Sequence, residues 1–325
     1  MRFADALLMV ASAAGVAGAT HAAEPQNVPV QQQRYSMGTM FEIVAYHEPR
    51  AIAERAVAAA LDEISRLDDV LSDYNKDSEV SRLVREGRKA AVTVDPALFE
   101  VLEESLVISR RSGGVFDVTI APVVRAWREA REQDRQPTEA EIAAAKRCVG
   151  YDKIELPAPN QVRLRSDCVE IDLGAIGKGY ALDRGMAVLK EAGIRHATVN
   201  AGNSSIGAIG HPPGKSGWPV LLGGALNGRR TLLLRNHSIS TSSQSPAGHI
   251  VDPRSGGPAR TPLAVSVIAP RGSTSDALST ALLLMSAEAG AAMLPHFPGV
   301  SVLWIAGGQV TRAYGEGQLE LDGSR

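Results

Sequence analysis

Apolar positions along the chain follow two rhythms. The stretch AIAERAVAAALDEISRLDDVLS (51–72) sets Ile52, Ala56, Ala60, Ile64, Leu67 and Leu71 on one face at helical spacing, with charges opposite. It predicts a long amphipathic helix. Residues 95–111 predict a second, opened by Asp95 as N-cap with Pro96 in the first helical position and stopped by Gly113 and Gly114. In the surface segment 128–150, Thr138 followed three residues later by Glu141 predicts a capping box. GYALDRGMAVLKEAG (179–193) and SDALSTALLLMS (275–286) predict two further helices.

Between the helices the apolar runs are short, β-branched and separated by turn residues. RYSMGTMFEIVAYH (34–47), HATVNAGNSSIGAIG (196–210), WPVLLGG (218–224), TLLLRNHSISTSS (231–243), VSVIAP (265–270) and VSVLWIAGG (300–308) read as strands with their turns, and 151–174 as successive short strands. Strands and helices interleave without a regular βαβ rhythm. The fold class expected is α+β, with mixed, largely antiparallel sheets and flanking helices.

Composition narrows this only slightly. With 325 residues, 44% hydrophobic and 22% charged, the chain can bury a substantial core. A net charge of −2 gives no electrostatic footprint for nucleic acid, and 4% aromatic residues argue against a base-stacking platform. The N-terminus changes the picture more. Arg2, a short apolar run at 6–19 and small residues up to Ala22 and Ala23 predict a cleaved leader over 1–22. A polar linker over 23–33 and a single domain over 34–325 follow, with export to the periplasm expected. No cysteine follows the apolar run, so no lipid anchor is expected. Cys148 and Cys168 flank a predicted hairpin, where the sequence is compatible with a disulfide or with two buried thiols.

Some glycine-rich stretches are decoys. GHPPGKSG (210–217) lacks P-loop spacing and reads as a surface turn; NAGNSSIGAIG is no dinucleotide fingerprint, and no G-x-S-x-G elbow occurs. SDALSTALLLM is more informative. Asp276, Ser279 and Thr280 share one face of a helix start, a carboxylate with hydroxyls of the kind a hard cation prefers, although charge matching to the helix dipole alone would explain Asp276. In GHIVDPRSGGP (248–258), His249 stands beside Asp252 and Arg254 at a chain reversal.

In order, MGTMFEI, LSDYNKDSEVSRL, GGVFDVTIAP, IDLGAIGKGYALD, GHIVDPRSG and SDALSTAL make a set that resembles the ApbE family of FAD:protein FMN transferases, over roughly residues 34–290. The resemblance implies an FAD cleft contacted by Met37, Tyr74, Val115, Phe116, Asp117, Asp172, Lys178 and Ile250. It implies a Mg2+ site built from the Ala175 carbonyl with Asp276 and Thr280, Ser279 adjacent, and His249 as catalytic base. The implied reaction moves FMN from FAD to a threonine hydroxyl of an exported flavoprotein or a subunit of a membrane redox complex, releasing AMP. Two places depart from the family pattern: Gly202-Asn203-Ser204 for Gly-Gly-Asp, and Thr241-Ser242-Ser243 for Thr-Ser-Gly. Ser243 enters positive φ less cheaply than glycine. These departures keep two alternatives in view, a non-catalytic FAD carrier and a pyrophosphatase that splits FAD into FMN and AMP.

Overall fold

In the computed structural model the antiparallel alternative prevails, because each strand finds its partner next to it in the sequence. The structure describes residues 8–10, 28–222, 231–244, 250–259, 261, 263–315 and 321–322. Eight strands form the main sheet: β1 (Val30–Ser36), β2 (Thr39–Tyr46), β3 (His196–Ala201), β4 (Ser205–Ile209), β5 (Ser238–Ser243), β6 (Ala264–Ala269), β7 (Ser301–Ala306) and β8 (Gln309–Tyr314). Their order in space is their order in sequence, and every neighbouring pair is antiparallel. The opening strand begins at Val30, within the stretch read as linker, and a turn at Met37-Gly38 folds it into a hairpin.

The inner strands are buried on both faces, which is why β4, β6 and β7 read as unbroken apolar runs. Alternation then sorts their side chains between two cores. Phe41, Ile43, Val265, Val267, Val302 and Trp304 face the helices. Ile206, Ala208, Ile239, Ile268, Leu303 and Ile305 face a smaller sheet that includes Trp218–Leu222 and Thr231–Leu234. The three-residue strand Leu8–Val10, inside the expected leader, pairs with Trp218–Leu222.

The helices are α1 (Arg50–Leu71), α2 (Glu79–Glu86), α3 (Pro96–Arg111), α4 (Ala121–Glu132), α5 (Glu139–Lys146), α6 (Gly177–Glu191), α7 (Gly272–Leu283) and α8 (Ala287–Met293). The predicted caps form. Asp95 accepts from the Ala97 amide, and Thr138 and Glu141 complete a reciprocal capping box. In α1, Ala56, Ala60, Ile64, Leu67 and Leu71 are buried, and Ile52 packs at the core's edge. Helix α4 is unpredicted, for a physical reason. Arg125, Arg128 and Arg131 recur at three-residue spacing, so no apolar stripe marks the helix.

Cys148 and Cys168 form a disulfide that closes the loop around the hairpin Ile154–Ala158 and Gln161–Leu164. Gly185 of α6 lies so near α1 that a Cβ there would sit 3.0 Å from the Ile64 Cδ1. Ile64→Ala is therefore expected to open a cavity at this crossing and cost about 2–5 kcal/mol in denaturant unfolding. A loss below about 1 kcal/mol would show that the crossing is loosely packed.

Candidate active site

A cavity of about 490 Å³ opens where the segment between β2 and β3 meets the far half of the sheet. One wall comes from Asp73 and Tyr74 after α1, from Val115–Val118, and from α4; the other comes from Thr241 and Ser242 on β5, Ile250 and Val251, and α7. Asp172, Gly174, Ala175 and Lys178 form the loop entering α6 between them.

That loop is built by two helices that cap one another. Neither the residue before α6, Ile176, nor the residue before α7, Arg271, makes a side-chain cap. Asp276 of α7 accepts from the Gly179 amide in the first turn of α6 (3.0 Å). In return, Asp183 of α6 accepts from the Gly272 amide (2.6 Å), the Ser273 amide (3.0 Å) and the Ser273 hydroxyl (2.9 Å). The backbones nearly touch: a Cβ on Gly179 would stand 2.1 Å from the Gly272 carbonyl oxygen.

Gly179 is the third residue of α6, where helix amides have no internal partner, and Asp276 supplies one. Ala175 lies two residues before the helix, and among the described residues its carbonyl accepts no backbone hydrogen bond. Ala175, Asp276 and Thr280 all line the cavity. A carbonyl, a carboxylate and a hydroxyl are the hard oxygen donors that suit a cation such as Mg2+. Among the described residues no three His, Cys, Asp or Glu cluster as a metal cage. Ser279 does not line the cavity. Its hydroxyl donates to the Asp276 carbonyl (2.9 Å) and meets the Ser242 hydroxyl (2.7 Å), which also lies 3.2 Å from that of Thr280.

The other expected contacts divide. Tyr74, Val115, Phe116, Asp117, Asp172, Lys178 and Ile250 line the cavity. Met37 does not; it packs beside Gly177 behind the loop, with its amide on Asp68 (2.7 Å). Asp117 is buried, and its carboxylate already accepts from the Thr119 amide and hydroxyl and the Tyr151 amide. Burial pushes its carboxyl up, against those hydrogen bonds. Its clear task is to fasten the loop to the segment beside the disulfide. Asp172 turns the chain through its bond from the Gly174 amide (2.8 Å), and Lys178 donates to the Gly174 carbonyl (2.9 Å). Lys178 is thus held over the cavity by its own loop. His249 lies outside the described residues; Ile250, next in the chain, lines the cavity. Burial would push Asp252 up, but the Arg254 guanidinium holds it below its usual range.

Three wall residues escaped the sequence reading. Trp127 donates to the Gly256 carbonyl (2.7 Å), tying α4 to the turn after Ile250. The Arg128 guanidinium stands 5.7 Å over the ring of Tyr74, whose surface is 77% exposed. Asp73 sits on the rim, and enclosure of its carboxylate against the wall, with Asp172 alongside, raises it to about 6 despite Arg128. Only the neighbouring tyrosine marked this stretch in the sequence.

Both departures from the family pattern are absorbed. Asn203 takes positive φ (60°) after Gly202 and exchanges two hydrogen bonds with Asn200, which orders the turn. Ser243 is an extended strand residue paired with Ala264, so the expected φ penalty does not arise.

A family model described as the ApbE family matches residues 37–304. The chain is 30% identical over 301 residues to the FAD:protein FMN transferase of Treponema pallidum, covering 83% of this chain and 82% of that protein. It is 27% identical over 298 residues to the FAD:protein FMN transferase of Klebsiella pneumoniae, covering 84% and 83%. Among solved structures it is similar to the ApbE protein of Thermotoga maritima, with a TM-score of 0.75 and 27% identity over 87% of this chain and 96% of that one.

The raised carboxyl of Asp73 gives a titration to check. That carboxyl is pushed up to about 6 in the folded chain from an ordinary value of 3.8 when unfolded. Its contribution to stability is therefore full below about 3.8 and is lost as pH rises through 6. A carboxyl-carbon NMR titration should show a midpoint near 6 that falls in Asp172→Asn, since a like charge is removed. A midpoint unmoved by that change would exclude Asp172 as a cause.

Proposed function

The chain belongs to the ApbE family, and on that premise we propose that it is a FAD:protein FMN transferase, using Mg2+ to move FMN from FAD to a threonine of an acceptor protein. The observation that carries the reading is that Ala175, on the loop entering α6, and Asp276 and Thr280, on α7, line the same cavity. A bound Mg2+ there would neutralise charge on the FAD pyrophosphate. Ala175, Asp276 and Thr280 would hold it, with Ser242 and Ser279 steadying Thr280 and the backbone of Asp276.

The remaining groups act on the substrates directly. Tyr74 offers an open aromatic face at the cavity mouth, suited to stacking on a flavin or adenine ring. Lys178 adds a cation at the start of α6, where helix N-terminal amides favour phosphate. In the transfer, the acceptor oxygen bonds to the FMN-side phosphorus as the bond to the AMP phosphate breaks and AMP leaves. The proton of the acceptor hydroxyl passes to His249, which immediately precedes a cavity residue in the chain. Export to the periplasm, where acceptor flavoproteins would be met, draws support from the leader-like N-terminus and the Cys148–Cys168 disulfide.

The test is incubation with FAD and Mg2+, with and without a threonine-bearing acceptor flavoprotein domain, following AMP and acceptor mass. An FMN-sized gain abolished by EDTA is expected. AMP without a modified acceptor would mean hydrolysis, and bound FAD without either product would mean a carrier. Asp276→Ala should abolish metal-dependent turnover. His249→Ala should retain FAD binding and slow transfer by on the order of 100-fold; loss of FAD binding instead would make His249 a binding residue.

A further inference from the structure

Asp183 does not line the cavity, yet it holds the start of the helix that carries Asp276 and Thr280. Its two carboxylate oxygens accept three hydrogen bonds from the first two residues of α7. The same start of α7 is held from α3, where Glu104 accepts from the Ser273 and Thr274 hydroxyls (3.0 and 2.9 Å) and pairs with Arg271 (3.0 Å). One turn further along α7 stands Asp276, and one turn beyond it Thr280.

We infer that Asp183 is a positioning residue for the cation site: by capping α7 from α6, it sets where Asp276 and Thr280 stand relative to the Ala175 carbonyl. The inference rests on the proposed cation reading of those three donors. Two features separate it from ordinary capping. First, the bonds are reciprocal: Asp276 accepts from the Gly179 amide in the first turn of α6, beside the loop that carries Ala175, so any shift of α7 moves a donor and disturbs the start of that helix together. Second, the pair has no local substitute, since Ile176 and Arg271 supply no side-chain cap of their own. Partners that orient metal donors in this way typically change affinity 10–100-fold when removed.

The experiment is a Mn2+ titration of the full chain, reading free Mn2+ by electron paramagnetic resonance, with thermal unfolding in parallel. Wild type, Asp183→Asn, Asp276→Ala and Thr138→Ala are compared; Thr138 caps α5, away from the cavity, and controls for loss of stability alone. Expected are saturable binding by wild type, its loss in Asp276→Ala, and a dissociation constant raised about 10–100-fold in Asp183→Asn. Thr138→Ala should lower the unfolding temperature and leave the constant alone. Turnover of Asp183→Asn should recover at saturating metal, a raised activation constant with kcat kept.

Asp183→Asn binding Mn2+ as wild type does, while Asp276→Ala fails to bind, would overturn the role of Asp183 and leave the cation site standing. Wild type binding no Mn2+ would overturn both. If Asp183→Asn does not fold, Asp183→Ser, which withdraws the carboxylate and leaves the sequence at the start of α7 unchanged, is read in its place. A several-fold weaker constant supports the assignment, and an unchanged one overturns it.

Discussion

The close approach of two helix starts governs the cavity. Helices α6 and α7 come together backbone to backbone because neither residue at the contact, Gly179 nor Gly272, has a side chain to hold them apart. Helix starts leave amides without internal partners, and bringing two such starts together concentrates positive partial charge. Asp183 and Asp276 relieve it by each serving the other's helix. Ala175, just before α6, and Asp276 both line the cavity beside that contact.

Around that contact the cavity is assembled from distant parts of the chain. The segment between β2 and β3 gives the apolar slot and the aromatic face, and the sheet with α7 gives the hydroxyl-rich wall. Links across the opening include Trp127 to the Gly256 carbonyl and Lys146 to the Arg254 carbonyl (2.6 Å). On the opposite side, Asp117 and Thr119 secure the loop to Gly150 and Tyr151, just past Cys148. The disulfide therefore fastens the scaffold behind the wall and is itself absent from the cavity lining.

Much of this could be read from the sequence where a local rule applies. Caps at Asp95 and Thr138, the stripe of α1 and the antiparallel character of the sheet each follow from neighbours a few residues apart. The site residues were legible mainly as motifs, and the motifs did not say what each side chain does. Asp117 lies where expected, but its oxygens serve Thr119 and Tyr151; Met37 carries a family motif yet packs behind the loop. Asp183 stood in plain view beside Lys178, but its partners lie on another helix, and no spacing rule reaches that far. Helix α4 was hidden for the opposite reason: Arg128 and Arg131 line the cavity, so polarity there marks a concave surface rather than the outside. The departure at Ser243 looked costly only because its φ had to be assumed, and the strand makes it ordinary.

The sequential order of the main sheet bears on how the chain reaches this state. Hairpins β1–β2, β3–β4 and β7–β8 join strands separated by a tight turn, so each can form early and independently. The pairing of β2 with β3 is different, because residues 47–195 intervene and bring with them α1 to α6. Closing that loop costs chain entropy before any contact across it repays the cost. The junction that completes the sheet is thus the most non-local step in its assembly, the kind that slows folding. The same segment supplies half the cavity, so substrate binding waits on the last long-range closure.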